Sequence, residues 1–372
     1  MIQYCKTCLL PNTRPNIIFD KDGVCNGSTK RLKEKINWEE RELKFEKITE
    51  ETKSKKRIYD CVIPVSGGKD STWQVIKALE YGLNPLCVTW KTPGRNKLGA
   101  TNLSNLIKLG VNHIDFTINP SVEKLFTLKA FKKFGNPLIP MHMAMHAIPL
   151  QIAVNFKIPL ILWGENSAFE YGGDISLMGD TLTHKWFKKY GVTNGTSSED
   201  WIDDDLSRKC LAAYHFPSDQ QQKIAEVKAV FMGYFFQWDP QKTFQISKDH
   251  GFIEAKKPKT GFYNYADIDD SFLITIHHWM KWYKFGFTRL WDNLSIEIRN
   301  GRMERSDAIK ILKEVGNEKP TREIRLFCNY LGINEFDFFE IASEFRNLDI
   351  WYKNRKSTWY IKNFLIDNWI WG

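Results

Sequence analysis

The 372-residue chain has no run of roughly 18 apolar residues, so no segment of it is expected to cross a membrane as a helix. Met1-Ile2-Gln3-Tyr4-Cys5 lacks the charged-then-apolar layout of a signal peptide, and a cytoplasmic protein is expected. Internal repeats and low-complexity tracts are missing too, so the length goes into a substantial core in two or three units. The seven cysteines, an odd number and scattered, argue against a disulfide framework and for reduced thiols or a metal. Charge of one sign is in modest excess: 53 Lys and Arg against 44 Asp and Glu give a net +9. That admits a nucleic-acid partner. However, the basic residues are spread out, with local clusters at Lys53 to Arg57 and Lys256 to Lys259, and a solvated face is the simpler reading.

What is present centres on Val65-Ser66-Gly67-Gly68-Lys69-Asp70-Ser71-Thr72. The apolar, β-branched run from Tyr59 to Val65 before it reads as a buried strand. After it, Trp73, Ile76 and Leu79 recur at helical spacing as far as Gly82, a residue suited to ending a helix. A strand, a glycine loop and a helix N-terminus aim backbone N–H groups at a phosphate. Lys69 adds a point charge, Ser66 and Ser71 add hydroxyls, and Asp70 suits a magnesium ion, directly or through water. The spacing is not that of a Walker A loop. Ser-Gly-Gly-Lys-Asp-Ser resembles the PP-loop of ATP pyrophosphatases, which split ATP into AMP and pyrophosphate; the resemblance implies ATP and Mg²⁺ and is silent on the substrate.

From Tyr59 strands and helices alternate: strands at Leu86 to Trp90, Val111 to Phe116 and Pro159 to Trp163, with helices around Leu103 to Ile107, Val122 to Phe134 and Met141 to Phe156. Such alternation predicts a parallel α/β sheet with helices on both faces, and ligands then bind beyond the carboxyl ends of the strands. Those ends bring Val65-Ser66, Thr89-Trp90 and Gly164-Glu165-Asn166 toward one cleft. His142 and His146, four apart on one helix, read as core or surface histidines because no third ligand accompanies them. Residues 167–215 are polar and irregular, fitting a substrate loop or lid, or an acidic solvated stretch. After Pro217 aromatic helices take over, suiting a packed helical region or a sugar-stacking surface. The expected units are a cysteine knuckle at 1–28, a linker helix at 29–57, a nucleotide domain at 58–216 and a helical C-terminal region at 217–372.

Cys5-Lys6-Thr7-Cys8, with Cys25-Asn26-Gly27-Ser28 about 17 residues on, has zinc-ribbon spacing in which each knuckle offers two thiolates. The second knuckle is Cys-x2-Ser, so Cys5, Cys8 and Cys25 are three candidate zinc ligands. A fourth would come from elsewhere, such as Cys210, a histidine or water; the alternative is a metal-free knuckle.

A PP-loop enzyme lets a carbonyl or amide oxygen attack the α-phosphate of ATP, after which a nitrogen or sulfur nucleophile displaces AMP. For ammonia as nucleophile, an N-terminal-nucleophile glutaminase needs cysteine after Met1, where Ile2 stands, and no cysteine has the flanking glycines of a nucleophile elbow. No glutaminase is expected in the chain. Along nearly its whole length the sequence resembles the N-acetyl-sugar amidotransferase family of bacterial surface-glycan synthesis (the WbpG and PseA type). The matching stretches are Tyr4 to Cys8 with Thr13-Arg14-Pro15, Asp22 to Cys25, Ser66 to Ser71, Leu162 to Asn166 with Tyr171 to Asp174, and Lys284 to Phe287 with Ile298 to Gly301. It departs from the family at Ser28, where a fourth cysteine is expected.

The resemblance implies ATP-dependent conversion of an acetamido group to an acetamidino group on a nucleotide-linked or free N-acetyl sugar of lipopolysaccharide O-antigen or flagellin. AMP and pyrophosphate are released, and a separate glutaminase feeds ammonia. Under it, Ser66, Gly67, Gly68, Lys69 and Ser71 hold pyrophosphate, Asp70 holds Mg²⁺, and Thr89, Trp90 and Gly164 lie by the nucleotide. Glu165 binds magnesium or deprotonates incoming ammonium, Asn166 orients the amide, and Lys284 and Arg289 clamp phosphate. Two rivals compete: a tRNA-thiolating PP-loop enzyme, which needs reactive thiols near the loop, and a non-catalytic ATP-binding module, which has no use for Lys69 and Asp70.

Overall fold

The computed structural model describes residues 1–28, 36–316 and 319–371. Part of the expected linker helix, including Leu32, lies outside them. The described part, α1 (Trp38–Ser54), starts on Asn37, whose side chain accepts the Glu40 N–H, and carries Glu39 and Glu40 in its first turn. Its apolar stripe buries Phe45 and Ile48, with Phe45 edge-on to Tyr81 and Phe236.

The central sheet is built from β1 (Cys61–Pro64), α2 (Lys69–Glu80), β2 (Pro85–Trp90), α3 (Lys97–Ile107), β3 (Asn112–Phe116), α4 (Pro120–Phe134), α5 (Ile139–Phe156) and β4 (Leu160–Trp163). After α6 (His184–Tyr190) and α7 (Asp219–Ile224) comes β5 (Lys228–Phe231). The order is β3-β2-β1-β4-β5, every pair parallel. Alternation along β1 explains the layers. Cys61 and Ile63 pack with Trp73 and Leu103 on the α2/α3 side, while Val62 packs with Phe126, Met143 and Ile148 on the α4/α5 side.

β5 is a departure from the sequence-based expectation, which has only helices after residue 216. It lies on the far side of β4, with Leu162 in register with Val230, so the sheet runs past the expected boundary. The 167–215 stretch is packed rather than loose: Ala168, Leu177, Trp186, Phe187 and Tyr190 form a buried cluster with Phe231.

The remaining chain forms α8 (Pro240–Asp249), α9 (Leu273–Phe285), α10 (Arg289–Arg299), α11 (Arg305–Val315), α12 (Thr321–Leu331) and α13 (Glu335–Glu344), then an antiparallel hairpin, β6 (Trp351–Lys353) and β7 (Trp359–Ile361), where only small helices are expected. α9 ends on Gly286 at φ +72°, and its Ile276 and Trp279 join Phe131, Phe327 and Phe338 in one core. Leu9 from the N-terminal segment is buried with Phe287, Trp291 and Leu294. Among the described residues, no helix is long and apolar enough to cross a membrane.

Candidate active site

The loop between β1 and α2 is held in shape by its own side chains. Gly67 sits at φ +82°, and a Cβ there would stand 2.5 Å from the Leu103 backbone nitrogen, so the position admits glycine alone. The Ser66 hydroxyl accepts the Gly68 N–H (3.1 Å), while the Ser71 hydroxyl accepts the Ser66 N–H (3.4 Å) and donates to Gly68 O (3.0 Å). α2 begins at Lys69, so the unsatisfied N–H groups of its first turn belong to this loop. Lys69 Nζ pairs with Asp70 Oδ2 at 2.5 Å. The other Asp70 oxygen accepts Trp238 Nε1–H (3.0 Å) and the Thr243 hydroxyl (3.1 Å), and Ser247 donates to Lys69 O (2.6 Å). Trp238 and α8 thus brace the loop from beyond residue 216. Sequence reasoning missed all three, since nothing local to them signals a contact roughly 170 positions away.

The loop opens on a cavity of about 340 Å³ whose walls include Ser66, Asp70, Thr89, Trp90, Gly164 and Glu165. The three strand ends therefore converge. Glu165 is half-buried there; removal from water, with the Asp70 charge adding to it, pushes its carboxyl up to about 7. Thr89 reaches the wall with its hydroxyl already committed, donating to Val65 O (2.6 Å) and lying 2.8 Å from His113 Nε2. Trp90 Nε1–H donates to Glu123 (2.8 Å), whose carboxyl burial lifts to about 7. His142 and His146 also line the cavity; burial, with the neighbouring charges adding for His142, pulls them down to about 3 and about 4.

Two expected site residues are placed otherwise. Asn166 is almost fully buried, and its whole amide is in use: Nδ2 donates to Leu177 O (2.9 Å) and Gly179 O (3.1 Å), while Oδ1 accepts Ala168 N–H (3.0 Å) and Trp186 Nε1–H (2.9 Å). It has nothing left to offer a substrate amide and instead ties the 167–190 insertion to the end of β4. Lys284 does not reach the loop. Its Nζ donates to Phe134 O (3.0 Å), and burial lowers it to about 8.

Lys284 and Arg289 belong to a second cavity of about 580 Å³, which also takes in Arg14, Lys188 and Lys281. It adjoins the first, sharing Ser167, Tyr190 and Val192 as wall. Its one buried carboxylate, Asp292, pairs with Arg14 (3.0 Å) and Lys281 (3.1 Å). Burial works to raise Asp292, but Lys281, Arg14 and Arg289 outweigh it and hold the carboxyl well below the usual range. Arg289 lies 3.6 Å from Asp267, and its Nε has no hydrogen-bond partner. A carboxylate among this many cations leaves the cavity positive overall, a setting for an anionic group.

Cys5, Cys8 and Cys25 bring their sulfurs within 4.8 Å of one another, all buried. The N–H groups of Cys8 (3.4 Å) and Cys25 (3.2 Å) both point at Cys5 Sγ, an arrangement that stabilises a thiolate. This donor set fits a tetrahedral thiophilic ion such as zinc. Ser28 itself stands at the fourth corner, its hydroxyl 3.2 Å from Cys25 Sγ and 3.8 Å from Cys5 Sγ. Cys210, one of the sources expected for a fourth ligand, is exposed and bonded to Ser207. The knuckle docks on the site: Arg299 bridges Gly27 O (3.1 Å) and Glu170 O (3.0 Å), and Asn26 donates to Gly173 O (3.3 Å).

A parallel α/β sheet with this glycine loop at the carboxyl end of β1 has the form of a phosphate-binding α/β protein. More particularly, residues 246–365 match the family model described as "LPS biosynthesis protein WbpG-like, C-terminal domain". No curated protein sequence matches the chain. Among solved structures, an NMN synthetase from Francisella tularensis is similar over 60% of this chain and 99% of its own, at 15% identity and a TM-score of 0.26, a level that carries no argument. The loop is built to hold a phosphate, and the WbpG-like match is confined to residues 246–365.

Proposed function

We propose that the protein is an ATP-dependent N-acetyl-sugar amidotransferase of surface-glycan synthesis, forming an acetamidino group with ammonia supplied by a separate glutaminase. The observation that carries this reading is the pair of adjoining cavities, one walled by the phosphate-type loop and Glu165, the other strongly basic. The first has the chemistry to hold ATP and the second to hold the anionic part of a nucleotide-linked sugar, with the acetamido group at the shared wall.

In this mechanism the acetamido oxygen attacks the α-phosphorus of ATP, and the bond to pyrophosphate breaks. Lys69 and the N–H groups at the start of α2 bear the charge that gathers on the leaving pyrophosphate. The Asp70 carboxylate, at the wall beside the loop, fits a hard divalent cation. Magnesium bound there supplies charge neutralisation on the phosphates. Ammonia then adds to the activated carbon, AMP leaves with the former amide oxygen, and Glu165 accepts the proton that the new nitrogen sheds. Its raised affinity for protons suits that task near neutral pH.

The test incubates the protein with ATP, Mg²⁺, ammonium chloride and a panel of UDP- and CMP-linked diacetamido sugars, read by mass spectrometry and AMP release. Exchange of one oxygen for NH on one sugar, in step with AMP, supports the reading. ATP turnover stimulated by tRNA with every sugar unchanged overturns it.

A further inference from the structure

A third cavity, of about 550 Å³, lies on the α5 side of β4 and β5. It meets the first at a single pair of rings, His146 and Trp163, which line both. The rings stack with centroids 4.6 Å apart and planes 18° from parallel. Behind them the wall combines apolar Leu150, Ile161, Phe187, Phe216, Val227 and Ala229 with polar Thr181, Ser218 and Gln222, while the exposed His184, Asp219 and Lys228 stand at the rim. Trp163 ends β4, and Glu165 follows it by two residues, so the pair separates this cavity from the carboxylate assigned to accept the proton.

Resting on the amidotransferase reading, we propose that this cavity is the inlet for the nitrogen nucleophile, with the stacked His146–Trp163 pair as its gate. ATP and the sugar acceptor occupy the first two cavities, so a nitrogen that must arrive after them needs a separate approach. Beside the gate, Phe187 packs on His146 (ring centroids 4.9 Å) and Phe216 on Phe187 (4.5 Å), and this apolar passage favours the neutral species: ammonia sheds its hydration at less cost than ammonium, which would leave water without a counter-charge. The gate is uncharged as well. His146 Nδ1–H donates to His142 O (2.8 Å), which leaves Nε2 as a lone-pair acceptor, and burial keeps the ring neutral at physiological pH. A neutral acceptor can take an N–H bond from ammonia and then release it.

The test uses two variants of residues that line only this cavity, in the full chain, with AMP formation measured against ammonium chloride and methylammonium chloride. Ala229→Phe fills the cavity and is expected to raise the apparent KM for ammonium by about tenfold while the KM for ATP holds. Phe216→Ala opens it and is expected to bring methylamine into use. Should Ala229→Phe not fold, Phe216→Ala decides. An unchanged ammonium KM together with unchanged exclusion of methylamine overturns the inlet. Absence of ammonium-dependent AMP formation in the wild type overturns the amidotransferase reading itself, and that failure is visible before any variant is made.

Discussion

Replacing Asn166 separates a positioning residue from a catalytic one. Four hydrogen bonds converge on its amide, two of them from buried donors, Ala168 N–H and Trp186 Nε1–H. Truncation in Asn166→Ala leaves both donors without an acceptor and Leu177 O and Gly179 O without a donor. Each orphaned buried group costs about 1–3 kcal/mol. Counting the two donors alone and allowing relaxation, the loss of stability is about 2–4 kcal/mol. Asn166→Asp retains the acceptor for the two donors but turns an oxygen toward two carbonyls, so it too destabilises. The assay is urea unfolding, with the midpoint shift read at constant slope, alongside ATP affinity by calorimetry. Loss of stability in both variants, with ATP affinity falling only as far as the unfolded fraction requires, is the expected outcome. If Asn166→Ala keeps wild-type stability within about 0.5 kcal/mol while turnover collapses, the amide acts on substrate and the geometric argument is wrong.

Gly67→Ala forces a side chain into left-handed backbone, at about 1–2 kcal/mol, and into the Leu103 backbone; Gly68→Ala, at φ −72° with only Ser66 Oγ nearby, does neither. Calorimetry with ATP is expected to show binding lost in the first and retained in the second. For Glu165, raised from 4.5 to about 7, activity at a fixed concentration of free ammonia rises with pH through about 7 and then levels, and Glu165→Gln abolishes that limb. Its stability contribution has the opposite sign: the folded state holds the proton more tightly, so that stabilisation is lost as pH climbs from 4.5 to about 7. Glu165→Gln therefore gains stability over the wild type above that range and not below it, measurable by unfolding at both pH values. Cobalt added to the apo protein should give thiolate charge-transfer absorption that Cys8→Ser removes and Ser28→Cys strengthens.

Much of the fold is written locally. β-Branched runs ending at glycine or polar clusters mark β1 to β4, and the Ser66–Ser71 loop is recognisable because phosphate binding needs those residue types in sequence. β5 is not, since four residues beginning with Lys228 carry no pattern until β4 offers a register for them. Arg289 and Lys284 show the same limit at the site. Their charge is legible, but which of two adjoining cavities they face depends on how α9 and α10 pack. Thr89 is placed at the cavity by its strand, while the commitment of its hydroxyl to Val65 O emerges only from strand pairing. Ser28 reads in sequence as a gap in a ligand set; folding puts its oxygen against the sulfurs.

The basic cavity has a consequence for how the molecule is made. Thr13 donates to Phe285 O, Arg14 pairs with Asp292, and the Leu9 N–H reaches Ser295, so residues near one end of the chain wait for partners more than 270 positions later. On a ribosome the early segment emerges well before anything exists for it to dock against, and contacts of such long range close slowly. The basic cavity therefore cannot close until the chain has been made as far as Asp292. A nascent chain can hold a finished phosphate-type loop while the second cavity beside it has yet to form.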